Sequence, residues 1–140
     1  MDRIFFDTNI VMDYLDANRE RHAFAAILFK DGFLGKVTGC ISETVITNCC
    51  YLLRKSCSQQ ELNDIFQGFS EFFELLPCTN FDVHEACTNN KVDLEDTILY
   101  EIAFKNGCQF FITNNLKDFS LITKSGLKVL TAEQYLETRV

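Results

Sequence analysis

The stretch RIFFDTNIVMDYL, Arg3 to Leu15, changes its period halfway. Ile4, Phe5 and Phe6 form a short apolar run, the pattern of a buried strand. Three polar residues follow, Asp7-Thr8-Asn9. Apolar residues then return at 10, 11, 14 and 15, a helical spacing. An acid therefore stands where a strand hands over to a helix. As a helix cap, Asp7 needs no further function. As a metal ligand, it needs other acids in similar positions elsewhere.

Working outward, the same alternation continues. Residues 19–33 read as a helix ended near Gly32 and Gly35, and 36–41 as a strand. Ser42 stands as an N-cap for a helix over 43–55, with Glu43 at its positive end and Arg54-Lys55 at its negative end. Ser58 to Glu61 has the spacing of a capping box and opens another helix. Residues 73–78 are strand-like up to Pro77, the only proline, and 81–90 are helical. The spacing predicts an amphipathic helix over 93–107, closed by Gly107. Strands at 108–113 and 128–130 and a short helix capped by Thr131 complete the chain. Strands alternating with helices predict one α/β domain over residues 1–140, a parallel sheet covered by helices on both faces.

The bulk composition narrows the function. A chain of 140 residues with 47% hydrophobic and 24% charged residues suits a single globular core. Thirteen Lys plus Arg against twenty Asp plus Glu give a net charge of -7, which argues against a nonspecific nucleic-acid binder. An enzyme that meets phosphate through bound cations remains open, as does a basic protein partner. Seven cysteines without a C-x-x-C pair, and only His22 and His84, fit neither a zinc site nor a disulfide framework. Scattered thiols point to a reducing cytoplasmic compartment. The N-terminus does not read as a signal peptide, and no stretch is long and apolar enough to span a membrane.

In open α/β sheets, ligands bind outside the carboxyl ends of the strands. Asp7 follows the first strand. Asp93 and Asp96 open the 93–107 helix, three residues apart and so on one face. Thr113, Asn114, Asn115 and Asp118 follow the strand at 108–113. Read singly, each has a plain role: a cap at Asp7, a capped first turn at Asp93 and Asp96, a turn at Asn114-Asn115. Read together, they are oxygen donors from three distant segments. Converging carboxylates need a cation, and oxygen-only ligation suits Mg²⁺ or Mn²⁺.

The segments FFDTNIVMDYL, ISETVITNCCYLLRK and VDLEDTILYEIAFKNGCQFFITNNLKDF resemble, in order, the motifs of PIN-domain ribonucleases. Their pattern is similar to the VapC-like toxins of bacterial toxin–antitoxin pairs. The resemblance implies a PIN-like parallel sheet with acids at its carboxyl edge, and metal-dependent endoribonuclease activity on RNA. By motif position it implies that Asp7, Asp96 and Asp118 are the catalytic, metal-binding acids, with Asp93 accessory to Asp96. Thr8, Asn9, Ser42, Thr113 and Asn115 would support them. Either Asp96 or Asp93 would position or deprotonate the attacking water. It further implies Mg²⁺ or Mn²⁺ as cofactor and an antitoxin protein as partner. A homodimer built on the apolar helix AFAAILF is a further expectation, with core packing an equal account of that helix, and Lys91 and Lys117 are candidates for a basic rim.

Two positions depart from the family pattern. Asn48 stands where a glutamate is usual, some six residues past Ser42, and Asn115 replaces an aspartate. Glu43 is five residues from Asn48, about 140° around the helix, and cannot substitute. These departures keep a second reading open, a non-catalytic PIN-like module that binds RNA or protein. A haloacid-dehalogenase-like phosphatase also places an aspartate after its first strand, but it needs another acid two residues on, where this chain has Asn9.

Overall fold

The computed structural model describes residues 1–89 and 92–139; Lys91 lies outside them. Five strands form one sheet: β1 (Arg3–Phe6), β2 (Thr38–Ser42), β3 (Glu74–Leu76), β4 (Phe110–Ile112) and β5 (Lys128–Leu130). Their order is β3-β2-β1-β4-β5, and every adjacent pair is parallel. Helices α1 (Thr8–Leu15) and α2 (His22–Phe33) join β1 to β2. Helices α3 (Glu43–Leu53) and α4 (Gln59–Phe72) join β2 to β3. Helices α5 (Asn80–Thr88) and α6 (Leu94–Lys105) join β3 to β4. A single turn, α7 (Leu116–Phe119), leads to β5, and α8 (Ala132–Glu137) follows it. The chain winds one way from β1 to β3 and the other way from β4 to β5. The reversal leaves a crevice between the carboxyl ends of β1 and β4.

Strand β1 explains why RIFF is apolar without alternation. Successive side chains of a strand point to opposite faces, and here both faces are covered. Phe5 stacks on Phe111, 5.2 Å between centroids, and Phe111 in turn packs against Tyr100 of α6. Phe6 points the other way, 4.5 Å from Phe29 of α2 and 5.9 Å from Phe73. Phe73 fills the space over two glycines. A β-carbon added at Gly39 would stand 2.8 Å from its ring, and one at Gly32 2.9 Å. Phenylalanines therefore pack against both faces of this strand within one hydrophobic core.

The expected elements differ in detail from those observed. The second helix begins at His22 rather than at residue 19. The 93–107 helix is not a one-faced amphipath, because Leu99, Tyr100, Glu101, Ile102 and Ala103 are all buried. It packs against both α5 and the sheet. Gly107 closes it with a positive φ of 74°, as the closing glycine should. The capping box at Ser58 forms, and Thr131 caps α8. All seven cysteines are free thiols. Among the described residues, no helix is long and apolar enough to cross a membrane.

Candidate active site

Register builds the site. Phe5 pairs with Phe111 and Phe6 with Ile112, so the next pair along these strands is Asp7 and Thr113. The Asp7 N–H donates to the Ile112 carbonyl at 3.0 Å, holding the strand exit in line. Asp7 has extended backbone angles, so its side chain falls on the Phe5 face, toward α6. Both its oxygens are engaged. The Thr8 N–H donates to Oδ1 at 2.8 Å, which is the helix cap expected of this position. The Thr113 hydroxyl donates to Oδ2, also at 2.8 Å, and accepts from the Asn115 N–H at 3.1 Å. Asp7 is thus both cap and site residue, and the two readings of it do not compete.

Helix α6 brings the second acid. Asp93 is its N-cap and accepts from the Asp96 N–H at 3.2 Å. That contact commits Asp93 to shaping the first turn, with its exposed carboxylate beside Asp96. Asp7, Thr8, Asn9, Asn48, Asp96 and Asn115 line one cavity of about 240 Å³ at the crevice, together with Tyr51, Leu52 and Glu95. Asp118 lies on α7, exposed and outside this lining, yet near enough to act on Asp96 by its charge. Ser42 lies one strand over. It lines a separate cavity of about 470 Å³ at the ends of β2 and β3, with Glu43, Leu76 and Pro77. Its hydroxyl is buried without a hydrogen-bond partner among the described residues and does not cap α3, although Ser42 holds the cap position. Lys117 is exposed on α7.

Glu95 was not singled out by the sequence pattern. It reads as an ordinary acid in the first turn of a helix, where the dipole favours one. In the fold it meets Asn48, whose amide donates to Glu95 Oε1 at 2.8 Å and to the Thr8 hydroxyl at 3.4 Å. Asn48 therefore does face the pocket from α3, and a carboxylate sits beside it from another helix.

Asp7, Glu95 and Asp96 make the pocket acidic. No lysine or arginine is among the lining residues described. Burial pushes the Asp7 carboxyl up, against the pull of the Thr113 hydroxyl and the Thr8 N–H, and the Glu95 charge pushes the same way as burial. Burial also pushes Asp96 up, to about 7, with further pushes from the charges of Asp7, Asp93, Glu95 and Asp118. Among the described residues, no three Asp, Glu, His or Cys side chains stand close enough to cage an ion unaided. Two carboxylates with neighbouring amides do fit a hard cation that keeps much of its water, as Mg²⁺ does.

Comparison with known proteins agrees with this architecture. The chain is 28% identical over 141 residues to Ribonuclease VapC1 of Aquifex aeolicus, covering 97% of this chain and 94% of that protein. Its structure is similar to a toxin–antitoxin complex chain from Klebsiella pneumoniae, with a TM-score of 0.68 at 21% identity, covering 92% of this chain and 97% of the other. It is also similar to VapC20 of Mycobacterium tuberculosis, described as a sarcin–ricin-loop-cleaving toxin, with a TM-score of 0.62 at 18% identity over 77% and 86% of the two chains. The family profile of the PIN domain matches residues 3–117. With a parallel sheet in the order 3-2-1-4-5 and its acids gathered at the switch between β1 and β4, this chain belongs to the PIN domain family.

Proposed function

We propose that the chain is an Mg²⁺- or Mn²⁺-dependent endoribonuclease, restrained by a cognate antitoxin protein. The observation that carries the reading is the shared pocket of Asp7 and Asp96, two carboxylates raised toward protonation with no basic side chain among the described residues of the lining. The naming of a relative as a ribonuclease, and of structural neighbours as toxins, supports the substrate class and the partner.

Asp7 and Asp96 would hold the ion, with Asn115 and Asn48 orienting its water and Asp118 adding charge from α7. A divalent ion there supplies Lewis-acid charge and an activated water. The residues do the rest. The Thr8 N–H and the Thr113 hydroxyl fix Asp7 in one orientation. Asp96, or Asp93 at the start of the same turn, would accept a proton from the attacking water. The water oxygen bonds to phosphorus, the bond to the 3′ oxygen breaks, and that oxygen takes up a proton. The products are a 5′-phosphate and a 3′-hydroxyl. Exposed Ile27 and Leu34, at α2 and its end, support pairing with a second copy. Seven free thiols support a reducing cytoplasm as the compartment.

The second reading, a non-catalytic binding module, has one observation in its favour: the Asn48 amide occupies Glu95 and removes that carboxylate from easy ligation. Cleavage of single-stranded RNA by purified protein, with Mg²⁺, Mn²⁺ or EDTA, separates the two. The nuclease reading expects ion-dependent 5′-phosphate products that vanish in Asp7→Asn and Asp96→Asn. Absence of cleavage in the parent with either ion, or equal cleavage by the variants, overturns it.

A further inference from the structure

Helix α3 continues past Asn48 along the wall of the acidic pocket. Tyr51 and Leu52, three and four residues on, share the Asn48 face about one turn, roughly 5.4 Å, further along. Both line the same cavity as Asp7 and Asp96. Both are left in the open, Tyr51 63% and Leu52 51% exposed, whereas Tyr100, Tyr135 and six phenylalanines are fully enclosed. Tyr51 is the one aromatic side chain in the described lining of this cavity. The Arg54 guanidinium lies over its ring, 3.8 Å from the centroid, and donates through Nη1 to the Tyr51 carbonyl at 2.6 Å. A cation thus lies on one face of a ring that lines the acidic pocket.

We propose that Tyr51 is a stacking platform for an unpaired nucleobase beside the scissile bond, with Arg54 backing the ring and meeting a flanking phosphate. The identity of the ligand rests on the ribonuclease reading above. A chain with a net charge of -7 has little general attraction for RNA, so affinity must come from local contacts. Stacking on an aromatic ring supplies such affinity without charge and tolerates any base. Bases in a duplex are already stacked and paired, so the substrate class is single-stranded or loop RNA. Leu52 adds exposed apolar surface to the same lining.

The test titrates the whole protein into a single-stranded RNA oligonucleotide carrying 2-aminopurine, in EDTA and again in Ca²⁺, and follows fluorescence and affinity. The parent and Tyr51→Phe should both bind and quench the probe. Tyr51→Ala should bind roughly tenfold or more weakly and lose the quench. Arg54→Gln should weaken binding and reduce its salt dependence by about one charge. Melting curves confirm that each variant is folded, as expected for exposed positions. Binding and quenching by a parent that cleaves nothing in Mg²⁺ or Mn²⁺ would uphold the platform and sink the nuclease reading. Cleavage and affinity unchanged in Tyr51→Ala would sink the platform and leave the nuclease standing. A parent that binds no RNA in either condition overturns the proposal.

Discussion

Replacing Asp96 with asparagine isolates the charge crowding in the pocket. Burial and four neighbouring carboxylates push the Asp96 carboxyl from an ordinary 3.8 to about 7. A shift of roughly three units corresponds to about 4 kcal/mol if the group were fully enclosed. Asp96 is only half-buried, and solvent screening reduces this to about 1–2 kcal/mol. The folded-state value lies above the unfolded one. Between roughly pH 4 and pH 7 the folded chain therefore keeps a proton that the unfolded chain has released. Stability of the ion-free protein falls as pH rises through that window and levels off above it. Asp96→Asn has no such charge to acquire. In EDTA at pH 8 it should melt roughly 3–7 °C above the parent, and the gap should narrow toward pH 5. Mg²⁺ or Mn²⁺ should then raise the parent's melting temperature more than the variant's, because the ion binds the folded pocket. The assay is thermal unfolding by circular dichroism across pH, with and without ion. Parallel pH profiles and equal ion-induced shifts would show that Asp96 is a capped-helix residue only.

Thr113→Val removes the hydroxyl that donates to Asp7 and accepts from Asn115. It should cost about 1–3 kcal/mol in urea unfolding and lower cleavage, and an unchanged midpoint would contradict the bridge. Asn48→Glu places a carboxylate against Glu95, so the ion-free protein should melt lower than the parent and gain more from Mn²⁺; equal gains would mean that position 48 does not reach the ion. Gly39→Ala drives a methyl group into the Phe73 ring and should destabilise the fold by about 1–3 kcal/mol by urea unfolding, while a neutral result would show that Phe73 yields freely.

The sheet was legible because each strand of the site ends in a change of period. Ile4 to Phe6 and Phe110 to Ile112 are apolar on both faces, and the residues that follow them, Asp7 and Thr113, are polar and adjacent in register. What stayed hidden depends on pairings between segments. Glu95 carries no local mark that separates it from a dipole-favoured acid, and only the approach of α3 makes it a neighbour of Asn48. Tyr51 looks like part of the apolar face of α3 until the fold leaves that part of the helix uncovered. Helix α7 is one turn long, too short for any periodic signal. Ser42 has the sequence of a cap and the backbone of one, but the hydrogen bond is not made. The α6 pattern misled because a helix covered by both sheet and α5 loses its polar stripe.

The two acids of the pocket sit on elements of unequal depth. Asp7 ends the central strand, hydrogen-bonded on both sides, with its amide tied to β4. Asp96 lies in the first turn of α6, where Asp93, Leu94 and Glu95 are exposed. In hydrogen exchange, amides of the first kind are released only by global unfolding, and those of the second kind by local opening. An ion shared between them would couple a shallow unit to the deepest one. Its arrival would slow exchange in the opening turn of α6 and leave β1 unchanged, so the affinity of the pocket includes the work of closing one helix end.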